Sequence, residues 1–208
     1  AGLRAAREVL SELGVPLPKS EGAAIARIVW DRMCLGFTGL EPKGETAIST
    51  AERAKLDAMW NLGMPISVVE LMTGATLTTR HLRSALAAGD RAHVARALAG
   101  EAPAVAIQKP GARDRPNKLI ERARTLYEPE QNPALEAWVL LCEGVVGSLR
   151  VEHARVRERL VRAEALLRTR CPEEPWLLTQ VRSVLASCWF WSGQLGAHEE
   201  TLERWVAE

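Results

Sequence analysis

The sequence predicts an all-α fold of antiparallel helix hairpins stacked in series, on three observations. Apolar residues recur at steps of 3 and 4 over most of the chain, the period of a helix with one buried face. No segment alternates apolar and polar residues as a half-buried strand would. Helix pairs begin near Thr50, Arg91, Pro133 and Glu174, at successive offsets of 41, 42 and 41 residues. A near-constant period in this range is the mark of a helical solenoid, in which each hairpin buries its apolar face only against its neighbours. The hairpins are expected at roughly 1–37, 50–88, 91–128, 133–170 and 174–208, forming one helical-repeat domain over 1–208.

The clearest hairpin spans Leu77 to Ala102. Leu77, His81 or Leu82, Ala85 and Leu86 share one face of its first helix. Gly89 is placed to end that helix in the left-handed region, and Asp90 to accept from the free N–H groups of the next. Val94, Ala95, Leu98 and Ala102 continue the stripe.

The remaining elements follow in order. Leu3 to Leu13 reads as a short helix with Leu3, Val9 and Leu10 available for burial, ended by Gly14 and the extended Val15-Pro16-Leu17-Pro18. Ser20 caps a helix expected to bury Ile25, Ile28, Val29, Met33 and Leu35, with Trp30 beside them. Gly36 to Gly44 is a loop. Ser49 and Glu52 have capping-box spacing, with Thr50 as the other candidate cap, ahead of Leu56, Met59, Trp60 and Leu62. Gly63 and Pro65 are expected to break or kink that helix, a further turn over Val68 to Met72 leading to Gly74. Pro103 to Asn117 reads as irregular, with a turn at Lys109-Pro110-Gly111 and a helix from Lys118 to Tyr127. Pro133 opens a helix striped by Leu135, Trp138, Cys142, Val145 and Leu149, whose Gly144 and Gly147 allow close approach of a neighbour. Val156, Leu160, Ala163 and Leu167 stripe the next helix, which Cys171-Pro172 ends. Pro175 opens one carrying Leu177, Val181, Val184, Cys188 and Trp191; Gly193 and Gly196 precede a last helix with Leu202 and Trp205.

Composition narrows the function classes. The 208 residues are 47% hydrophobic and 25% charged with a net charge of +1. No global field argues for nucleic acid or an acidic membrane, and no apolar run approaches the roughly 18 residues that span a bilayer. The chain begins at Ala1 within a helical pattern and reads as a fragment of a longer, cytoplasmic protein. Cys34, Cys142, Cys171 and Cys188 lie too far apart for a zinc knuckle or redox motif and are expected as reduced thiols. His81 reads as a packed histidine, since no partner stands at three or four residues from it. His153 beside Glu152, and His198 beside Glu199 and Glu200, do not form H-E-x-x-H. No metal or cofactor is predicted.

Three features are weighed as partner-binding residues. Arg113, Arg115 and Arg122 belong to a basic cluster with Lys109, Lys118 and Arg124, against Asp114 and Glu121. Guanidinium groups suit carboxylate or phosphate, although a solvated face explains the run as simply. Aromatics do not interleave with these cations, which argues against single-stranded nucleic acid. Arg155, Arg159 and Arg162 stack at steps of 4 and 3 beside an apolar stripe, either lining a groove or facing solvent. Seven tryptophans stand against one tyrosine and two phenylalanines, and one narrow face cannot bury all of Trp189-Phe190-Trp191. Trp191 is therefore a candidate for a concave surface or for the contact face of a neighbouring repeat.

The segment RHLRSALAAGDRAHVARALAGEA, Arg80 to Ala102, resembles a recurring segment of large bacterial signalling proteins. Those proteins join a serine/threonine kinase domain to a P-loop ATPase module and a long tetratricopeptide-like helical-repeat region. The resemblance extends to Leu13-Gly14-Val15-Pro16-Leu17-Pro18, to the surroundings of Trp60 and to AEALLRTRCPEEPW from Ala163 to Trp176. Pro65 departs from it, since the family's helix runs on there, and leaves open whether 57–72 is one helix or two. The resemblance implies a non-catalytic regulatory or protein-interaction segment whose partner is the parent's own kinase or ATPase module or another signalling protein. In agreement, the chain lacks G-x-x-x-x-G-K-[ST], H-R-D and D-F-G. The alternative is a small-molecule sensor with an apolar pocket between hairpins, fixed by a few arginines. An all-α enzyme would need a cluster of titratable groups that the sequence does not offer.

Overall fold

The computed structural model describes residues 2–42, 44, 48–108 and 114–207. The predicted all-α class holds: the described residues form ten helices and no strand. Their contacts group them into two compact units, Ala1–Ala97 and Leu98–Glu208, each with its own buried residues.

The first unit begins with α1 (Gly2–Glu12), α2 (Glu21–Thr38), α3 (Thr50–Val69) and α4 (Leu71–Ala88). Residues 2–15 bury Ala6, Leu10 and Val15, whereas Val9 is exposed. Gly14 closes α1 in the left-handed region, where Val15 N–H reaches Leu10 C=O and Gly14 N–H reaches Ser11 C=O. Ser20 caps α2 by accepting from Ala23 N–H, and Ser49, not Thr50, caps α3 by accepting from Glu52 N–H.

Two expectations fail here. The apolar stripe on α2 is not the buried one: Ile25, Val29, Trp30 and Met33 are each about half exposed. The helix docks on α4 through Ala24 and Asp31 instead. Asp31, fully buried, lies 3.0 Å from both Arg27 Nε and Arg83 Nη1. A buried carboxylate held by two guanidiniums must face them, and the rest of the helix rotates accordingly.

The second concerns Gly63 and Pro65: of the break or kink expected there, the break does not occur, and α3 runs through both residues. Pro65 is exposed and buried Ile66 anchors the last turn beyond it. The chain breaks at Glu70 (φ −131°, ψ 85°), and α4 starts at once. Residues 57–72 are thus the end of one helix and the start of another, and Gly74 is an interior residue of α4. A Cβ on Gly74 would fall on the backbone of Ser67, and one on Gly63 would meet Leu77 Cβ at 3.3 Å. Position numbers fall in one helix as they rise in the other, so α3 and α4 are antiparallel.

Leu77, His81, Leu82, Ala85 and Leu86 are all buried, as their spacing predicts. Gly89 is left-handed (φ 75°), and Asp90 Oδ1 accepts from His93 N–H at 2.9 Å. The following helix, α5 (Arg91–Gln108), contains Pro103, and the boundary between the units falls within it. Part of the stretch read as irregular is therefore helical.

The second unit continues with α6 (Asp114–Arg124), α7 (Pro133–Ser148), α8 (His153–Arg170), α9 (Pro175–Trp191) and α10 (Leu195–Val206). The helix expected over Lys118–Tyr127 starts four residues earlier. Pro116 takes its third position, where a helix leaves the N–H unused. The turn at Lys109-Pro110-Gly111 lies outside the described residues. Asn132 caps α7 and Pro133 is its first residue, as Pro175 is for α9. Gly196 lies in the first turn of α10 rather than ahead of it.

α7 is the centre of this unit, buried on nearly every side from Leu135 to Cys142. A Cβ on Gly144 would meet Leu160 Cδ2 at 2.8 Å, and one on Gly147 would meet Val156 Cγ2 at 2.5 Å, so α7 and α8 are also antiparallel and tightly apposed. Val156, Leu160, Ala163 and Leu167 are buried as predicted. On α9 the buried stripe is Leu177, Val181, Leu185, Cys188 and Trp189; Val184 is half-buried and Trp191 is 72% exposed. The predicted stripe drifts outward because 3.6 residues per turn rotate it away from α8.

Candidate functional site

Two clefts of the second unit contain the predicted residues the structure brings together. The first, about 300 Å³, lies on α6, α7 and α8 and is lined by Arg124, Leu140, Glu143, Arg155, Glu158, Arg159 and Arg162. The stacked arginines of α8 thus meet in one place, as their spacing suggests. They meet there with carboxylates. Arg159 Nε lies 2.9 Å from Glu143 Oε1, and Arg124 Nη2 donates to Glu143 Oε2 at 2.7 Å. Behind them, buried Glu136 lies 3.2 Å from Arg162 Nη2 and 3.6 Å from Arg124 Nη1. Its Oε2 accepts from Tyr127 Oη at 2.6 Å. Arg155 lines the cleft, and its carbonyl accepts from Arg159 Nη1.

The electrostatics follow from burial. Burial raises the Tyr127 phenol well above its ordinary value, and the hydrogen bond to Glu136, which needs the phenol's proton, raises it further. For Arg124 burial works against the charge, but Glu143 and Glu136 outweigh it and its pKa moves up. This is a folded ion-pair network joining three helices. Its guanidiniums are already directed at carboxylates, so an anionic partner would have to displace them.

The second cleft, about 380 Å³, runs along α7 and α9. It is lined by Val145, Ser148, Leu149, His153, Ser183, Val184, Ser187, Cys188 and Trp191. Its walls are mostly apolar. Ser183 Oγ and Ser187 Oγ donate to the carbonyls of Thr179 and Ser183, leaving their oxygens to accept. Trp191 packs edge-on to Phe190 with ring centroids 5.2 Å apart, and Leu149 is half exposed beside it. Exposed apolar residues gathered at a cleft mark a binding surface more often than scattered ones do.

Of the other candidates, Arg115 and Arg122 line neither cleft. Arg115 is exposed in the first turn of α6, Arg122 donates to Thr125 Oγ1 at its far end, and Arg113 lies outside the described residues. Glu136 and Glu143, absent from the sequence reading, have one signal that points to them. They stand seven residues apart, two turns, as the acidic positions of an otherwise apolar helix. The partner of His81 was equally hidden: it is His93, twelve residues away on α5.

Among the described residues, no group of three histidines, cysteines or carboxylates is placed to hold a metal ion. None of the described helices is long and apolar enough to cross a membrane. Comparison with protein-family models, with curated proteins and with solved structures finds no match to this chain.

Proposed function

We propose that this chain is a non-catalytic helical-repeat segment, tetratricopeptide-like in its stacking, that serves as a regulatory or protein-interaction arm of a cytoplasmic bacterial kinase–ATPase signalling protein. The observation that carries the interaction role is the apolar cleft along α7 and α9, with Trp191 72% exposed at its mouth. Aromatic residues in such positions dominate binding energy at protein interfaces. The repeat reading is supported by helices that begin at Thr50, Arg91, Pro133 and Pro175 and by the two antiparallel pairs. The signalling context rests on the resemblance alone. A partner that prefers one state of the parent would bias it by its difference in affinity for the two states.

A small-molecule sensor is the second reading. The cleft's volume falls within the range of ligand sites. The expected combination of tryptophan and arginine is split between two clefts, which favours a protein partner.

The test immobilises the full chain and challenges it with the parent's purified kinase and ATPase modules. Capture is expected, with loss of at least tenfold in affinity for Trp191→Ala and little change for Arg115→Ala, the scale of an aromatic anchor. Absence of binding to either module defeats the regulatory-arm reading. Binding that Trp191→Ala leaves intact removes this cleft as the interface.

A further inference from the structure

The first unit contains a histidine pair that neither the proposed role nor the packing of apolar residues accounts for. His81 on α4 is 1% exposed and His93 on α5 is 4% exposed. His81 Nε2 and His93 Nδ1 face each other at 3.0 Å, with the rings nearly perpendicular. One proton between the two nitrogens makes a hydrogen bond; two would set N–H against N–H.

The surroundings make the pair asymmetric. From α3, Asp57 Oδ1 lies 3.4 Å from His93 Nε2 and is half exposed, while Arg53 lies 3.4 Å from Asp90 Oδ2. From α5, Asp90 accepts the His93 backbone N–H, and the Arg96 guanidinium sits 5.0 Å over the Trp60 ring. Trp60 in turn packs against His81 at 6.0 Å. The charged groups acting on His81 are His93 and Arg96, both unfavourable to a cation. On α4 itself, Arg80 and Arg83 answer to Arg27 and Asp31 of α2. Half-exposed Asp57 thus links His93 to the surface, and among the described residues none of the charges acting on His81 favours a second proton there.

We propose that the His81–His93 pair is a proton-operated latch between α4 and the first turns of α5, closed when the pair is neutral and opened when both rings are protonated. Burial first, then the neighbouring cations, lowers the affinity of both rings for protons; Asp90 and Asp57 only partly offset this at His93. The closed form thus binds fewer protons than the open one. Stability of the closed latch is full well above the ordinary histidine value of 6.5 and is lost as pH falls below it. Because the two rings touch, their titration belongs to the pair.

Hydrogen exchange on the full chain, at about pH 7.5 and about pH 5.5 with intrinsic rates corrected, tests this. Protection of Arg91–Ala97 amides is expected to fall about tenfold for each histidine that stays neutral in the closed form, about a hundredfold for both. The α7 and α8 amides, in the other unit, keep their protection. Unchanged protection in α5, or an equal fall in α7 and α8, overturns the latch. His81→Phe keeps a ring against Trp60 and removes one titrating group, so its pH dependence should be about tenfold flatter. Where that variant does not fold, the imidazole C–H resonances of the unsubstituted chain decide. Titration below 6.5 together with α5 opening supports the latch; titration at 6.5 without opening refutes it.

Discussion

Replacing Gly74 by alanine isolates how closely α3 and α4 approach. The new Cβ would overlap Ser67 Cα and Cβ and stand 2.5 Å from Ser67 N, where ordinary contact begins near 3.4 Å. These are mainly backbone atoms of a helix, so no side-chain rotation relieves them; the helices must move apart by about 1 Å and loosen the contacts of Ile66 and Leu77. Overpacking of this kind costs about 1–3 kcal/mol, and a backbone clash belongs at the upper end. Alanine recovers about 1 kcal/mol of helix propensity. The net loss is about 2 kcal/mol, or a Tm lower by about 8–16 °C for a unit of roughly 100 residues. Gly36, also helical, has nothing within 4 Å of an added Cβ, so Gly36→Ala should gain about 0.5–1 kcal/mol. Scanning calorimetry reads both, and it resolves the two units if they melt separately. A Gly74→Ala chain that melts at or above the unsubstituted temperature would refute the close apposition of α3 and α4.

Other substitutions probe the second unit. Val151 is a β-branched residue at φ 63° in the position that Gly14 and Gly193 take in the equivalent helix-ending turns, where Glu152 N–H reaches Gly147 C=O. Val151→Gly should stabilise by about 1 kcal/mol in urea unfolding; a loss of that size would show that valine is not strained there. Glu136→Gln removes a carboxylate shared by Arg124, Arg162 and Tyr127 and should cost about 2–4 kcal/mol by the same assay. Tyr127 is the chain's one tyrosine, so near-ultraviolet absorbance follows its ionisation alone. Its phenolate should appear only well above the ordinary value of 10, and Glu136→Gln should bring it down, whereas an unshifted titration in the unsubstituted chain would contradict the burial of the phenol against Glu136.

Features that depend on neighbours along the chain were legible before any tertiary contact was known. Ser20, Ser49 and Asp90 each accept an N–H three residues on, and Gly14 and Gly89 end helices where only short-range geometry matters. The 3- and 4-residue steps over Val156–Leu167 and Leu77–Leu86 identified faces that are buried, because one stripe of apolar residues has one way to leave water. Tertiary structure decided what depends on residues far apart. α2 has two faces able to dock, and Asp31 chose between them through Arg83, fifty-two residues away. Pro65 stays within a helix because burial of Ile66 holds the turn beyond it, a tertiary contact overriding a local preference. Arg159 and Arg162 became members of an ion-pair network only when α6 and α7 brought Arg124, Glu136 and Glu143 to them. His81 shows the limit most plainly. Its spacing predicted burial, but the partner that gives the buried ring its chemistry comes from the next helix, and periodicity carries no information about which side chain will stand opposite.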